Sequence, residues 1–146
     1  MPQFNVRKSV LIDAPLERVY DTVRDFKLWP IWSPWLIAEP DCNVTFSNDG
    51  RTYSWDGTIV GAGENGVTQE TRPKEIHYRL VFQKPWKSVA SVAFAFAEKD
   101  AQVEATWSME SSLPLFLFWM KSMMSAFLGM DYERGLLMLK DYVETG

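Results

Sequence analysis

The chain has 146 residues, 47% of them hydrophobic and 23% charged, enough for one domain whose core removes about two-thirds of the unfolded chain's surface from water. The net charge is −4 and the basic residues are scattered rather than striped, which argues against a nucleic-acid partner. One cysteine, Cys42, and one histidine, His77, exclude an internal disulfide and a protein-only Cys/His zinc site. No metal or other cofactor is therefore expected, and a reducing cytoplasm fits.

In chain order, FNVRKSVLI (residues 4 to 12) predicts a strand, preceded by no signal-peptide pattern because charges interrupt the apolar run of MPQFNVRKSVLID. Asp13 is placed to cap a helix, with Pro15 near its first position and Glu17 in its first turn. Leu16, Val19, Tyr20, Val23 and Phe26 then recur at helical spacing, and the helix is expected to end near Pro30. There the chain reads WPIWSPW, with Trp29, Trp32 and Trp35 three residues apart. Pro30 and Pro34 bar one regular helix. A 3₁₀-like or extended turn would put the three rings on one side, as a rigid aromatic lid or as a core plug.

From 42 to 112 the pattern has period two, with turn signals at Asn48-Asp49-Gly50, Pro73-Lys74 and Lys99-Asp100, which predicts a meander of antiparallel strands. The glycine-rich GAGENG (61 to 66) reads as a further hairpin turn, since no helix follows it to make a phosphate or dinucleotide site. Ile76, Tyr78, Leu80 and Phe82 alternate along one strand and Val103, Ala105, Trp107 and Met109 along another. After Pro114 a helix is predicted over roughly 116 to 144, its broad apolar face carrying Met120, Met124, Phe127, Leu128, Tyr132, Gly135, Leu136, Leu139 and Val143. Lys121 divides its apolar run into stretches shorter than the ~18 residues of a membrane span. A second stripe, Trp119, Met123, Met130 and Leu137, needs cover from the Trp29–Trp35 segment or from a second subunit in a homodimer.

The segments VLIDAPLERVYDTVRDFKLWPIWSPW, GTIVGAGENG, PKEIHYRLVF, VEATWSMES and MDYERGLLMLKDYVE, in that order, resemble the START-like (SRPBCC) superfamily in its polyketide cyclase and dehydrase branch. The resemblance implies one α+β domain over residues 1 to 146 with a helix-grip fold. In that fold a curved antiparallel sheet wraps around a long C-terminal helix, a short helical segment follows strand 1, and a cavity lies between sheet and helix. It implies a small hydrophobic partner, lipid- or polyketide-like. Some members of the superfamily are enzymes, others carriers or sensors.

The residues offer rich walls for such a cavity. Trp32 and Trp35 of the lid, Tyr53 and Trp55, Tyr78 and Phe82, and Trp107 and Met109 on four successive elements are candidate ligand contacts, with Met124 and Tyr132 from the helix. Gln69, on the face of Val67 and Thr71, would orient a ligand if it points inward, while Asp56 and Glu70 would then point outward. His77 shares the outer face of Arg79 and Val81. Asp131 falls within the apolar arc of the helix, where it would either lock the helix by a hydrogen bond or serve as a ligand contact or general acid/base. Three readings follow: a carrier or sensor; a cyclase or dehydratase using Asp131 with the hydroxyls of Tyr78 or Tyr132; and a protein-interaction module built on the Trp/Met stripe.

Overall fold

The period-two segments assemble into one antiparallel sheet because each strand has one apolar face to bury and none can do so alone. The computed structural model describes residues 3–58, 61–84, 87–112 and 121–145, and the side chains of all of these except 3, 4, 35, 112 and 121–129. Strands β1 (Gln3–Ile12), β2 (Asn43–Phe46), β3 (Thr52–Asp56), β4 (Ala62–Thr71), β5 (Glu75–Lys84), β6 (Ser88–Lys99) and β7 (Gln102–Ser112) pair in the order β1-β7-β6-β5-β4-β3-β2. Apart from the β1–β7 contact, every pairing joins neighbours in sequence. The expected meander is therefore present, with the N-terminal strand closing beside the last.

Between β1 and β2 lie four short helical pieces, α1 (Leu16–Arg24), a 3₁₀ turn (Phe26–Leu28), α2 (Trp29–Trp32) and α3 (Pro34–Ala38). The helix expected to reach Pro30 stops at Arg24, six residues earlier. Asp13 does not cap it: Pro15 occupies the cap position and makes no side-chain cap bond, while the Asp13 backbone N–H donates to Glu144 Oε2 at 2.8 Å. Pro15, with its extended backbone, holds the cap position in place of Asp13.

The long helix α4 (Lys121–Thr145) closes the fold. Tyr132, Leu136, Leu139 and Val143 are buried at the positions the 3.6-residue period specifies. A Lys8–Glu133 ion pair of 2.9 Å ties its outer side to β1. The expected start near 116, with Met120 and Trp119, lies outside the described residues, as do the side chains of Met123, Met124, Phe127 and Leu128. Of the second stripe, Met130 (58% exposed) and Leu137 (60%) are open to solvent and are not covered by α2 or α3. No described helix is long and apolar enough to cross a membrane.

GAGENG is not a turn. Only Gly61, at φ +71°, belongs to the β3–β4 turn; the following five residues are strand, paired with β3 from Asp56↔Ala62 to Thr52↔Gly66. The glycines serve close approach instead: a Cβ on Gly63 would sit 2.3 Å from the Val81 carbonyl oxygen and 2.8 Å from the Trp55 ring.

Candidate functional site

WPIWSPW folds as two single helical turns, each opening on a proline near its first position, with extended backbone at Ser33 between them. Proline costs nothing there because the first helical N–H groups have no intrahelical partner. The Trp29 indole Nε1 donates to the Val23 carbonyl oxygen at 2.8 Å, satisfying a last-turn carbonyl of α1 and pinning α2 to it. Trp29 and Trp32 are 2% and 0% exposed, with ring centroids 4.6 Å apart. The segment thus seals one end of the interior. The Trp35 side chain lies outside the described residues.

Behind this seal, between the sheet and α4, is a cavity of about 30 Å³, the space in which the centre of a water molecule can move. That is room for about two waters. Its walls bring together Tyr53 and Trp55 from β3, Phe82 from β5, Trp107 and Met109 from β7 and Tyr132 from α4, all candidates from the sequence. Trp29, Ser33, Asn65, Leu80 and Val92 join them without having been anticipated there. Trp29, the first ring of the segment, lines the cavity. Trp32, expected against the ligand, stands behind it, 5.5 Å from Trp107.

Trp107 is the most constrained of these rings. It stacks on Tyr132 at 3.9 Å and 7°, and on Phe94 at 5.1 Å and 16°, so β7, β6 and α4 together fix the direction of its N–H. Gly135 permits this closeness: a Cβ there would lie 2.8 Å from Pro34 Cδ and 3.0 Å from Trp107 Cζ3.

Among the described residues, four buried side-chain atoms have no hydrogen-bond partner: Trp107 Nε1, Asn65 Oδ1, Trp32 Nε1 and the Tyr78 hydroxyl. The first two belong to cavity-lining residues. Asn65 is 2% exposed; it stands close enough to the Tyr53 hydroxyl to oppose the burial that raises that group, while its Oδ1 has no hydrogen-bond partner among the described residues. It was missed because it stands between two glycines in a segment that reads as a turn.

Besides Trp32, three described candidates do not line the cavity. Tyr78 is buried beside it, 5.7 Å from Trp29. Gln69 is exposed, because the β4–β5 register shifts between Val67 and Gln69 and leaves Thr68 as a bulge. The bulge turns Gln69 outward opposite His77 and Glu70 inward opposite Ile76, the reverse of simple alternation. Asp131, expected within the apolar arc, is half-buried and outside the cavity lining, since it lies at the margin of the face that Tyr132 and Leu136 bury.

Glu70, turned inward, accepts from Arg24 Nε at 2.5 Å and the Tyr20 hydroxyl at 3.0 Å, with Arg51 at 3.5 Å. Burial acts to raise its pKa, but the Arg24 and Tyr20 hydrogen bonds outweigh it and the net shift is downward. Burial, then the Glu70 hydrogen bond, push Tyr20 up to about 12. Within the cavity, burial raises Tyr53 and Tyr132 above the ordinary tyrosine range, and it raises Tyr78 beside them. At neutral pH these three are uncharged hydrogen-bonding groups. Among the described residues no carboxylate, imidazole or cation lines the cavity, and no group of His, Cys, Asp and Glu could hold a metal ion.

A family model described as polyketide cyclase / dehydrase and lipid transport matches residues 3–144. No curated protein matches the sequence. Among solved structures, protein CV1439 of Chromobacterium violaceum has a TM-score of 0.72 at 18% identity, covering 98% of this chain and 99% of that one. The Aha1 dimer of Colwellia psychrerythraea has a TM-score of 0.68 at 18% identity, covering 97% of each chain. The di-domain ARO/CYC BexL from the BE-7585A biosynthetic pathway has a TM-score of 0.73 at 18% identity, covering 99% of this chain and 51% of that one. Similarity at this level is a likeness of fold.

Proposed function

The chain belongs to the polyketide cyclase, dehydrase and lipid transport family, and from that premise we propose that it binds a small hydrophobic or aromatic molecule, lipid- or polyketide-like, between the sheet and α4, as a carrier or sensor. The observation that carries this reading is the cavity itself: aromatic walls around a small space, in which two of the lining residues, Asn65 and Trp107, each keep a buried polar atom unpaired. Proton-transfer chemistry has less support, because Asp131 stands outside the cavity and the tyrosine hydroxyls near it hold their protons at neutral pH.

A ring-sized ligand exceeds 30 Å³, so its entry requires a wall to part. One such wall is α2 with α3, two single turns without side-chain caps, although the Trp29–Val23 hydrogen bond ties α2 to α1. The test is native mass spectrometry of protein purified from its own host, beside a titration with 1-tetralone followed by tryptophan fluorescence. Saturable binding at one site per chain, abolished by Trp55→Arg, which puts an unpaired cation in the wall, supports the reading. Bare protein that fails to bind the probe overturns it. Exposed Met130 and Leu137 favour a second reading in which α4 pairs two copies; sedimentation velocity showing only monomer at 100 μM, an order-of-magnitude ceiling for a specific contact, removes it.

A further inference from the structure

The outer face of α4 is complementary to itself. We propose that the chain forms a dimer in which the ridge Met130, Glu133, Arg134 and Leu137 packs antiparallel on the same ridge of a second copy, about a two-fold axis, with Arg134 of each copy paired to Glu133 of the other. The proposal rests on the second reading above, that α4 pairs two copies, and adds to it the orientation and the residues that choose the partner.

The large apolar side chains exposed among the described residues are Leu11, Ile31, Val89, Met130 and Leu137. The first three lie on three different elements, β1, α2 and β6, whereas the last two share one helix, seven residues apart. That spacing puts them about 10.5 Å apart along the helix axis and about 20° apart around it. Buried Tyr132, Leu136, Leu139 and Val143 lie on the opposite side, about 180–240° from Met130. The ridge is therefore the outermost line of α4. A single exposed apolar residue is ordinary, but two in line on the open side of an otherwise buried helix form the seam of a helix pair.

The charges between them select the occupant. Glu133 and Arg134 hold the middle of the ridge, and both are exposed. Lys8 Nζ holds Glu133 by Oε1 at 2.9 Å, which leaves Oε2 to accept a further bond. Arg134 has no ion pair or hydrogen bond among the described residues. Met130 and Leu137 stand equally far on either side of the midpoint between the two charges. An antiparallel pairing about that midpoint sets Met130 against Leu137 of the other copy and Arg134 against its Glu133, and symmetry makes each contact twice. A parallel pairing would set Arg134 against Arg134 and Glu133 against Glu133, and like charges in contact oppose it. The same two-fold closes the assembly at two chains. A contact of about two helical turns covers less than the ~800 Å² per partner of a standard interface, so the dimer is a micromolar one.

The test is sedimentation velocity of the full chain up to about 100 μM, on the wild type, on Arg134→Glu, on Glu133→Arg and on an equimolar mixture of the two variants. The wild type should dimerise. Arg134→Glu makes the centre of the ridge wholly acidic and Glu133→Arg makes it wholly basic, so each variant alone should dimerise about tenfold more weakly or worse. In the mixture every central pair is again opposite in sign, and a heterodimer should form. Both positions are exposed, and a near-UV circular dichroism spectrum matching wild type checks that each variant is folded. For the orientation, Met130→Cys mixed with Leu137→Cys, both in a Cys42→Ser background, should give an oxidative cross-link that neither forms alone. A chain that stays monomeric, or a dimer indifferent to both charge variants, overturns this proposal and the second reading together. A charge-sensitive dimer in which Met130→Cys cross-links to itself, or in which no cross-link forms, overturns the proposed orientation and leaves α4 as the interface.

Discussion

Replacing Gly135 with alanine opposes two effects of known sign. In an exposed helix interior the change stabilises by about 1 kcal/mol, because alanine loses less backbone entropy. Here the new Cβ would lie 2.8 Å from Pro34 Cδ, and 3.0 Å from Pro34 Cγ and Trp107 Cζ3, where ordinary contact begins at 3.4 Å. All three atoms belong to rigid rings. Pro34 opens α3, and Trp107 is stacked with both Phe94 and Tyr132, so neither yields without moving its element. Overpacking of this kind costs about 1–3 kcal/mol, and with three simultaneous overlaps the upper part of that range applies. The net expectation is about 1–2 kcal/mol of destabilisation, a fall in Tm of about 3–6 °C for a domain of this size. Urea unfolding of both proteins at equal m-value measures it. A stabilised Gly135→Ala would refute the packing of α4 against α3 and Trp107.

Gly63→Ala should be more severe, about 3 kcal/mol or more, because its Cβ meets the Val81 backbone oxygen at 2.3 Å and the Trp55 ring at 2.8 Å; a soluble variant with wild-type Tm would contradict the β4–β5 register. Trp29→Phe should cost about 1 kcal/mol more than Trp32→Phe, since only Trp29 loses a hydrogen bond and orphans a carbonyl, whereas Trp32 sheds an N–H that has no partner; equal losses in urea melts would count against the Trp29–Val23 link. Glu70 has a folded pKa below its ordinary value of 4.5, so its stabilising contribution is complete above that pH and is lost as pH falls through the folded pKa. Glu70→Gln should therefore be less stable than wild type at pH 7, with the gap narrowing at pH 3.5, and a gap that stays constant would rule out the Arg24–Glu70 pairing.

What could be read in the sequence divides along a physical line. Strict alternation made the buried face of β7 legible, because Val103, Ala105, Trp107 and Met109 keep period two without interruption. The helical stripe Tyr132, Leu136, Leu139 and Val143 was legible for the same reason. β4 was not. One bulged residue, Thr68, exchanges the faces of Gln69 and Glu70, and bulges leave no composition signal when the residue is ordinary. Asn65 was hidden differently: Gly63 and Gly66 are present so that neighbouring chain can come close, yet in sequence such glycines look like a turn. At the edge of a helical face, the difference between Asp131 half-buried and Tyr132 buried is a rotation of 100° per residue, which periodicity places only roughly.

The two ends of the interior handle polarity in opposite ways, and the contrast locates the site. Toward α1, Tyr20 is 2% exposed, yet its hydroxyl reaches Glu70, which also accepts from Arg24, and Arg24 donates onward to the Gly50 carbonyl at 2.9 Å. Every charge there has a partner, and the space between is filled by rings such as Phe96, 5.7 Å from Tyr20. Toward α2 and α4 the lining is as well buried, but Asn65 Oδ1 and Trp107 Nε1, in two of the lining residues, have no hydrogen-bond partner among the described residues. A sequence able to satisfy a carboxylate at one end could satisfy an amide at the other, by Asn65→Val or by one serine opposite Trp107. That it does neither leaves two buried polar atoms unpaired in residues that line the cavity, a cost that a purely apolar core would avoid.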